Sequence, residues 1–416
     1  MQTIPETDRI ILRELGGRKA DIGHLPVQRE TAALWRKLNA CEPVRPLVWI
    51  NEIPWHEIEQ SHPELRLMCT HPLAVGVERS MRRELYQWEH FRGDMIVEPV
   101  VYSGIVGGPS SSYADYGVKE KLIRHDGGHD VGYEPVIHTE ADADAIRTPK
   151  VWFDEDATGT NHRMLAEVFD GILPVRKRGI VHQWHSPWDQ IIHWYGIEQL
   201  YTDMYERPAL VHRLLGNFTA ALTEVLDRQE ALGMLDTGNG NYRIGSGGLG
   251  LSNELPDSSC AGKVTAKSQW GCSTAQIFSE VSPAMHEEFA LQYEIPLMSR
   301  FGLTYYGCCE PLHRKIDILK KISNLRKISM SPWVNVDEAA ERVGRDYVYS
   351  MKPSPALLAT DVFDAEAVRM DLSEKLTKTK KCAVEVILKD ITTIRGEADR
   401  LDAWEKIASQ VVRQME

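Results

Sequence analysis

Two adjacent thiols and a carboxylate, Cys308-Cys309-Glu310, follow the apolar run Leu303-Thr304-Tyr305-Tyr306-Gly307. Such a trio is a ligand set for a thiophilic metal, zinc above all. The plainer reading packs one cysteine in the core and leaves the other incidental. His182-Gln183-Trp184-His185 offers two imidazoles at a spacing of three. In a strand that spacing puts them on opposite faces, so both meet one metal only if the chain turns at Trp184. Glu52 and Asp236 each sit just past an apolar run, where with His182 and Glu310 they could move protons. The rings of Trp184, Trp188, Trp270, Tyr305, Tyr306 and Trp333, with His185, could hold a planar substrate by stacking. Each of these rings is also an ordinary core residue.

The elements that must position these groups follow from pattern. Leu47–Ile50 is a compact apolar run bounded by prolines, which predicts a buried strand with Glu52 and Trp55 on its exit loop. Met95–Gly104 reads as a second strand, ending near Tyr102. Residues 105–150, rich in Gly, Ser, Asp and His, read as an irregular insertion with a hairpin. From residue 165 strands and helices alternate. Strand readings fall at Gly179–His185, Met234–Asp236, Val264–Cys272, Phe301–Tyr306, Lys327–Ser331, Asp346–Met351 and Ala383–Leu388. Pro208 opens a long helix stopped by Gly233, Ser282-Pro283 is a helix start, Asn335-Val-Asp-Glu338 has capping-box spacing, and Asp364 caps the next helix. Leu312, Ile316, Leu319, Ile322 and Leu325 recur with helical period, which predicts a helix after the cysteines. Residues 1–44 read as a helical extension broken at Gly16-Gly17.

Strand–helix units of roughly 25 to 45 residues imply parallel strands with helical crossovers. About eight such strands favour an α/β fold of the closed (β/α)8 TIM-barrel type over 45–416. In a barrel the residues just past each strand share one rim. That rim would gather Glu52, Trp55, Tyr102, His182, Trp184, His185, Asp236, Asn239, Gln269, Cys272, the Cys308–Glu310 trio, Ser331, Trp333, Lys352, Lys389 and Asp390. Gly245-Ser-Gly-Gly-Leu-Gly250 is glycine-rich but does not join a strand to a helix, so it is a poor phosphate loop.

The 416 residues are 43% hydrophobic, enough for a large core, and carry a net charge of −12 without a long basic run. Nucleic acid is therefore an unsuitable partner. No apolar run has membrane-spanning length. The sequence Met1–Asp8 lacks the charged and apolar regions of a secretory signal, and seven scattered cysteines suggest reduced thiols. The expected location is the cytoplasm; a homodimer is compatible with all of this.

Arg45-Pro-Leu-Val-Trp49, the segment Gly196–Val211, and the order Cys308, Ile328-Ser329, Asp337–Gly344, Lys352-Pro-Ser-Pro-Ala356 together resemble the uroporphyrinogen decarboxylase superfamily. The resemblance spans 45 to about 395 and implies a distorted (β/α)8 barrel. Decarboxylases of that superfamily carry arginines after the first strand; here Ile50-Asn-Glu52-Ile-Pro54 stands there, and a glutamate would repel a polyanionic tetrapyrrole. The chain is more similar to the corrinoid-dependent methyltransferase branch, including the aryl methyl ether O-demethylases of anaerobic bacteria. That branch binds zinc through a His-x-Cys pair and a later Cys. Here Tyr306-Gly-Cys308 lacks the histidine and Leu388 runs into Lys389-Asp390, leaving Cys309 and Glu310 as substitutes, with Asp390, His182 or His185 to complete the set.

The resemblance thus implies transfer of a methyl group from a small methoxylated, aromatic substrate to the cob(I)alamin of a partner corrinoid protein. Zinc or a buried acid would activate the leaving oxygen. The alternatives are a metal-free decarboxylase using Glu52, His182 and Asp236, and a barrel that binds a corrinoid or tetrapyrrole without catalysis.

Overall fold

The computed structural model describes residues 3–109, 114–124, 131–256 and 262–415; Cys260 and parts of the 105–150 insertion lie outside them. Its strands are β1 Leu47–Ile50, β2 Val101–Gly104, β3 Val106–Gly108, β4 Lys121–Arg124, β5 Val131–Glu134, β6 Trp152–Asp154, β7 Val175–Arg178, β8 His182–His185, β9 Trp270–Ser273, β10 Leu303–Tyr306, β11 Leu325–Met330, β12 Val348–Met351 and β13 Ala383–Leu388. Seven of them form one sheet in the order β1-β13-β12-β11-β10-β9-β8. Every pairing in that sheet is parallel. Long helical crossovers make this possible, because a parallel partner cannot be reached by a tight turn.

The closed eight-stranded ladder expected from the sequence is not what the described strands form. The structure is a mixed α/β chain with a parallel seven-stranded sheet whose edges are β1 and β8. Beyond those edges β2 and β7 pair in parallel, and Ile180 and Leu235 make an isolated parallel bridge. Asp94 N–H donates to the Val48 carbonyl at 2.7 Å, and its carboxylate takes the Val48 N–H at 2.7 Å, tying the chain before β2 to β1. The strand expected over Met95–Gly104 shrinks to its last four residues, because Pro99 interrupts any ladder there. The hairpin foreseen in the insertion is β4–β5, and β3 pairs antiparallel with β6.

Alternation along the strands sorts the core into two sides. Tyr306, Ile328, Met330, Tyr349, Val384 and Val386 join the helices in the largest apolar cluster. On the other side Trp270, Cys272, Leu303 and Tyr305 pack with Ile244 of the 241–250 loop. That inner side also buries Lys327 and Glu385 with side chains 0% exposed and a 2.8 Å ion pair. Ser350 Oγ donates to the same carboxylate at 2.5 Å, and Gly248 N–H at 3.1 Å. The glycine loop is thus a packing element. A Cβ on Gly248 would lie 2.3 Å from the Trp35 ring, so only glycine admits this approach.

The helices follow their sequence marks with two exceptions. Pro208–Ala231, Val336–Val343 and Ala365–Lys378 form as read, with Asn335 and Asp364 as caps. Glu6–Gly23 runs straight through Gly16-Gly17, where a Cβ on Gly16 would sit 2.9 Å from Phe169, so that glycine serves close packing instead of a break. The helix expected over 312–325 is only the short turns Leu312–Arg314 and Ile316–Leu319, because Leu325 already begins β11. Ile316, Leu319 and Ile322 nonetheless all face the core. Among the described residues no helix is long and apolar enough to cross a membrane.

Candidate functional site

The chemistry gathers where β1, β10 and β13 end. Gly307, with φ +98°, turns the chain out of β10. A Cβ there would meet Leu312 at 2.4 Å, so the turn requires glycine. The turn presents Cys308 and Cys309 with their sulfurs 3.6 Å apart. Lys389, at the exit of β13, places Nζ 3.4 Å from the Cys308 sulfur and 3.8 Å from that of Cys309. It also pairs with Asp390 at 2.8 Å, and Asp390 Oδ2 stands 3.7 Å from the Cys309 sulfur. Glu52, at the exit of β1, accepts the Asp390 N–H at 3.1 Å and pairs with Arg243 at 2.6 Å. Glu52 and Asp390 both hold left-handed backbone, φ 52° and 55°, a strained conformation for residues with a Cβ.

The two thiols are pushed in opposite directions. A hydrogen bond from Cys309, and after opposing burial the Lys389 charge, hold the Cys308 thiol below its ordinary pKa. The same bond and burial push Cys309 up. Of the two thiols Cys308 is therefore the one that ionises first, while Cys309 holds its proton. Burial works against the Lys389 charge, yet the Cys308 thiolate and Asp390 outweigh it and keep the ammonium protonated. Just beneath, Lys352 donates to Ser350 Oγ at 2.6 Å and to the Tyr305 hydroxyl at 3.1 Å. Its burial, partly offset by Glu385, lowers its pKa to about 7.

The zinc set Cys308, Cys309, Glu310 does not assemble. Glu310 is fully buried with its carboxylate folded back, one oxygen on the Cys308 N–H at 2.9 Å and the other on the Thr274 hydroxyl at 2.8 Å. An ammonium, instead of a third ligand, lies against the two sulfurs. Among the described residues no three His, Cys, Asp or Glu side chains are grouped to hold a metal ion. With Glu310 turned away and Lys389 on the sulfurs, these three residues do not fit zinc.

The remaining expected residues scatter. His182 Nε2 accepts the Gly245 N–H at 3.0 Å and stands 3.2 Å from the Cys272 sulfur, with burial lowering its pKa to about 4. His185 points to the opposite face, as a spacing of three in a strand requires, and lies 5.7 Å from the Phe301 ring. Burial lowers its pKa to about 3. Asp236 caps backbone, accepting from Gly179 at 3.1 Å and Thr237 at 2.7 Å. Of the four acid–base candidates, Glu52 enters the strand-end cluster and Glu310 lies folded beneath it on the Cys308 amide, while His182 and Asp236 stand apart.

The expected aromatic cage is likewise divided. Trp188 is buried in the helical layer with Nε1 on the Phe289 carbonyl. Tyr306 points outward to His286 at 2.7 Å and Glu294 at 2.8 Å, while its neighbour Tyr305 points inward. Trp270 is buried against the glycine loop, bonded to the Gly250 carbonyl. Trp184 stays on the inner side, its ring 6.4 Å from that of His182, and Trp333 is 76% exposed. Period-two alternation explains the split of Tyr305 from Tyr306 and of Trp184 from His185. Lys389, Asp390 and Lys352 were legible as residues just past strands; Arg243 carries no mark in the sequence.

No family model matches this chain, and no curated protein matches it in sequence. Among solved structures it is similar to a methyltransferase from Methanosarcina mazei at 9% identity, with a TM-score of 0.48, over 91% of this chain and 98% of that one. A likeness that distant assigns neither fold nor activity. The resemblance drawn from the motifs therefore stands on the residues quoted for it.

Proposed function

We propose that this chain is a cytoplasmic methyltransferase that moves a methyl group from a small methoxylated, aromatic substrate to the cob(I)alamin of a partner corrinoid protein. We also propose that 94–104 and 175–185 complete a distorted (β/α)8 barrel around the inner side of the sheet. The observation that supports the reading is the Lys389 ammonium held against the Cys308–Cys309 pair at the carboxyl ends of parallel strands, where such folds place their chemistry. When the carbon–oxygen bond breaks, the methyl carbon takes the electron pair of the acceptor and the departing oxygen keeps the bonding pair. That oxygen needs positive charge and hydrogen-bond donors. Lys389 supplies both, so a protonated amine does the work expected of zinc. The Cys308 thiolate keeps that amine charged and aimed. The decarboxylase alternative is disfavoured because Glu52, His182 and Asp236 do not converge.

Methyl transfer from a methoxybenzene to reduced cob(I)alamin, followed by the cobalt absorbance change, tests the reading. Lys389→Met should lower the rate by about a hundredfold or more, the scale of a lost oxyanion donor, and chelator should leave wild-type activity intact. A Lys389→Met protein that transfers at the wild-type rate, or a wild type silenced by chelator, overturns it.

A further inference from the structure

Away from the thiols, a cavity of about 610 Å³ lies between β1, the helix Pro72–His90 and the chain before β2. A second, of about 200 Å³, adjoins it across Glu98, Tyr102, Arg178 and Tyr242, which line both. The larger volume is within the range of small-molecule sites. Aromatic rings dominate its strand side: Trp49, Trp55, Tyr102 and Tyr242.

The polar groups around the larger cavity are mostly spent within the protein. Lys19 pairs with Glu84 at 2.5 Å and Arg83 with Glu59 at 2.7 Å. Gln87 donates to the Ile50 carbonyl and Asn241 to the Ile96 carbonyl. Arg178 differs. It ends β7 with its guanidinium 3.3 Å from the centre of the Tyr102 ring, a stack that fixes the plane of its N–H fork. Its carboxylate neighbour Glu98 stands at 3.8 Å, beyond hydrogen-bond length, and is engaged by the Tyr102 hydroxyl at 3.0 Å. Burial pushes the Glu98 pKa up, opposed chiefly by the Arg178 charge, and at 3.8 Å the carboxylate leaves the N–H fork open to a closer anion.

We propose that the Arg178 cavity binds a small planar aromatic carboxylate, its carboxylate bidentate on the guanidinium and its ring among Trp49, Tyr102 and Tyr242. An oriented Arg fork matches a carboxylate in geometry and charge, and the aromatic walls match a ring. This site does not depend on the methyl-transfer reading. Its wall is tied to the strand-end cluster through the chain, because Trp49 and Trp55 flank Glu52, and Tyr242 precedes the Arg243 that Glu52 binds.

Isothermal titration of the full chain with benzoate and with neutral benzamide tests this directly. Benzoate should bind at least about tenfold more tightly than benzamide, and Arg178→Gln should remove that preference, consistent with loss of a charged hydrogen bond. Glu98→Gln should tighten benzoate, since it removes the competing anion. Circular dichroism and a thermal melt establish that each variant is folded; if Arg178→Gln does not fold, Arg178→Lys, which keeps the charge but not the fork, should lose most of the preference. Equal affinity for benzoate and benzamide, no benzoate binding at millimolar concentration, or a folded Arg178→Gln that keeps the preference would each overturn the proposal. Lys389→Met should bind benzoate as wild type does, so failure of methyl transfer and failure of this site read out separately.

Discussion

Removing the Lys389 ammonium should raise the Cys308 pKa, leaving the Cys309 hydrogen bond as the remaining support for its thiolate. At 3.4 Å, a thiolate and an ammonium attract by about 5 kcal/mol at an effective dielectric of about 20, and by about 1 kcal/mol in bulk water. Lys389 is nearly buried, its side chain 3% exposed, whereas Cys308 is only half-buried, so the working value falls toward the lower bound. A loss of about 1.4 kcal/mol corresponds to a tenfold smaller thiolate fraction wherever the thiol is mostly protonated. Lys389→Met should therefore slow iodoacetamide alkylation of Cys308 at pH 7 by roughly tenfold, with the site located by peptide mass spectrometry. In the wild type, the alkylation rate should rise with pH through a midpoint below that of a free thiol, and in the variant that midpoint should move up. Cys309, which holds its proton, should react more slowly than Cys308 at neutral pH despite being more exposed. Equal rates at Cys308 in wild type and variant, or Cys309 reacting first, would refute the electrostatic account.

Breaking the buried Lys327–Glu385 pair should be costly: Lys327→Met strands a fully buried carboxylate and should destabilise by about 3–5 kcal/mol in urea titration. The double variant Lys327→Met/Glu385→Leu should recover much of that loss, since it removes both partners of the pair. Two pH effects of opposite sign follow from buried groups. His185, with neither ring nitrogen hydrogen-bonded, has its folded pKa lowered from 6.5 to about 3, so the unfolded chain binds the proton more readily and stability falls as pH drops through that window. His185→Leu should flatten that acid limb in thermal melts. Glu294, pushed up by burial from 4.5 to about 8, binds its proton more tightly when folded, so stability falls as pH rises from 4.5 to 8; Glu294→Gln should reduce that slope.

Local pattern determined most of the elements. The apolar strands at Leu47, Val348 and Ala383, the proline-led helix at Pro208 and the caps at Asn335 and Asp364 depend on residues near one another in sequence, so they were legible. The location of the site was legible for the same reason, since groups that follow parallel strands must share an end. What each side chain does there depended on contacts far apart in the chain. Glu310 looked like a ligand beside two thiols, but Thr274 and the Cys308 amide claim it. Lys389 lies 81 residues from Cys308, and only the β10-to-β13 arrangement brings its charge to the sulfur. Gly248 looked like part of a loose loop until Trp35 and Glu385 closed on it. Sequence period fixes the face of a strand on which a residue stands; packing across the sheet decides its partner, and partners set charge.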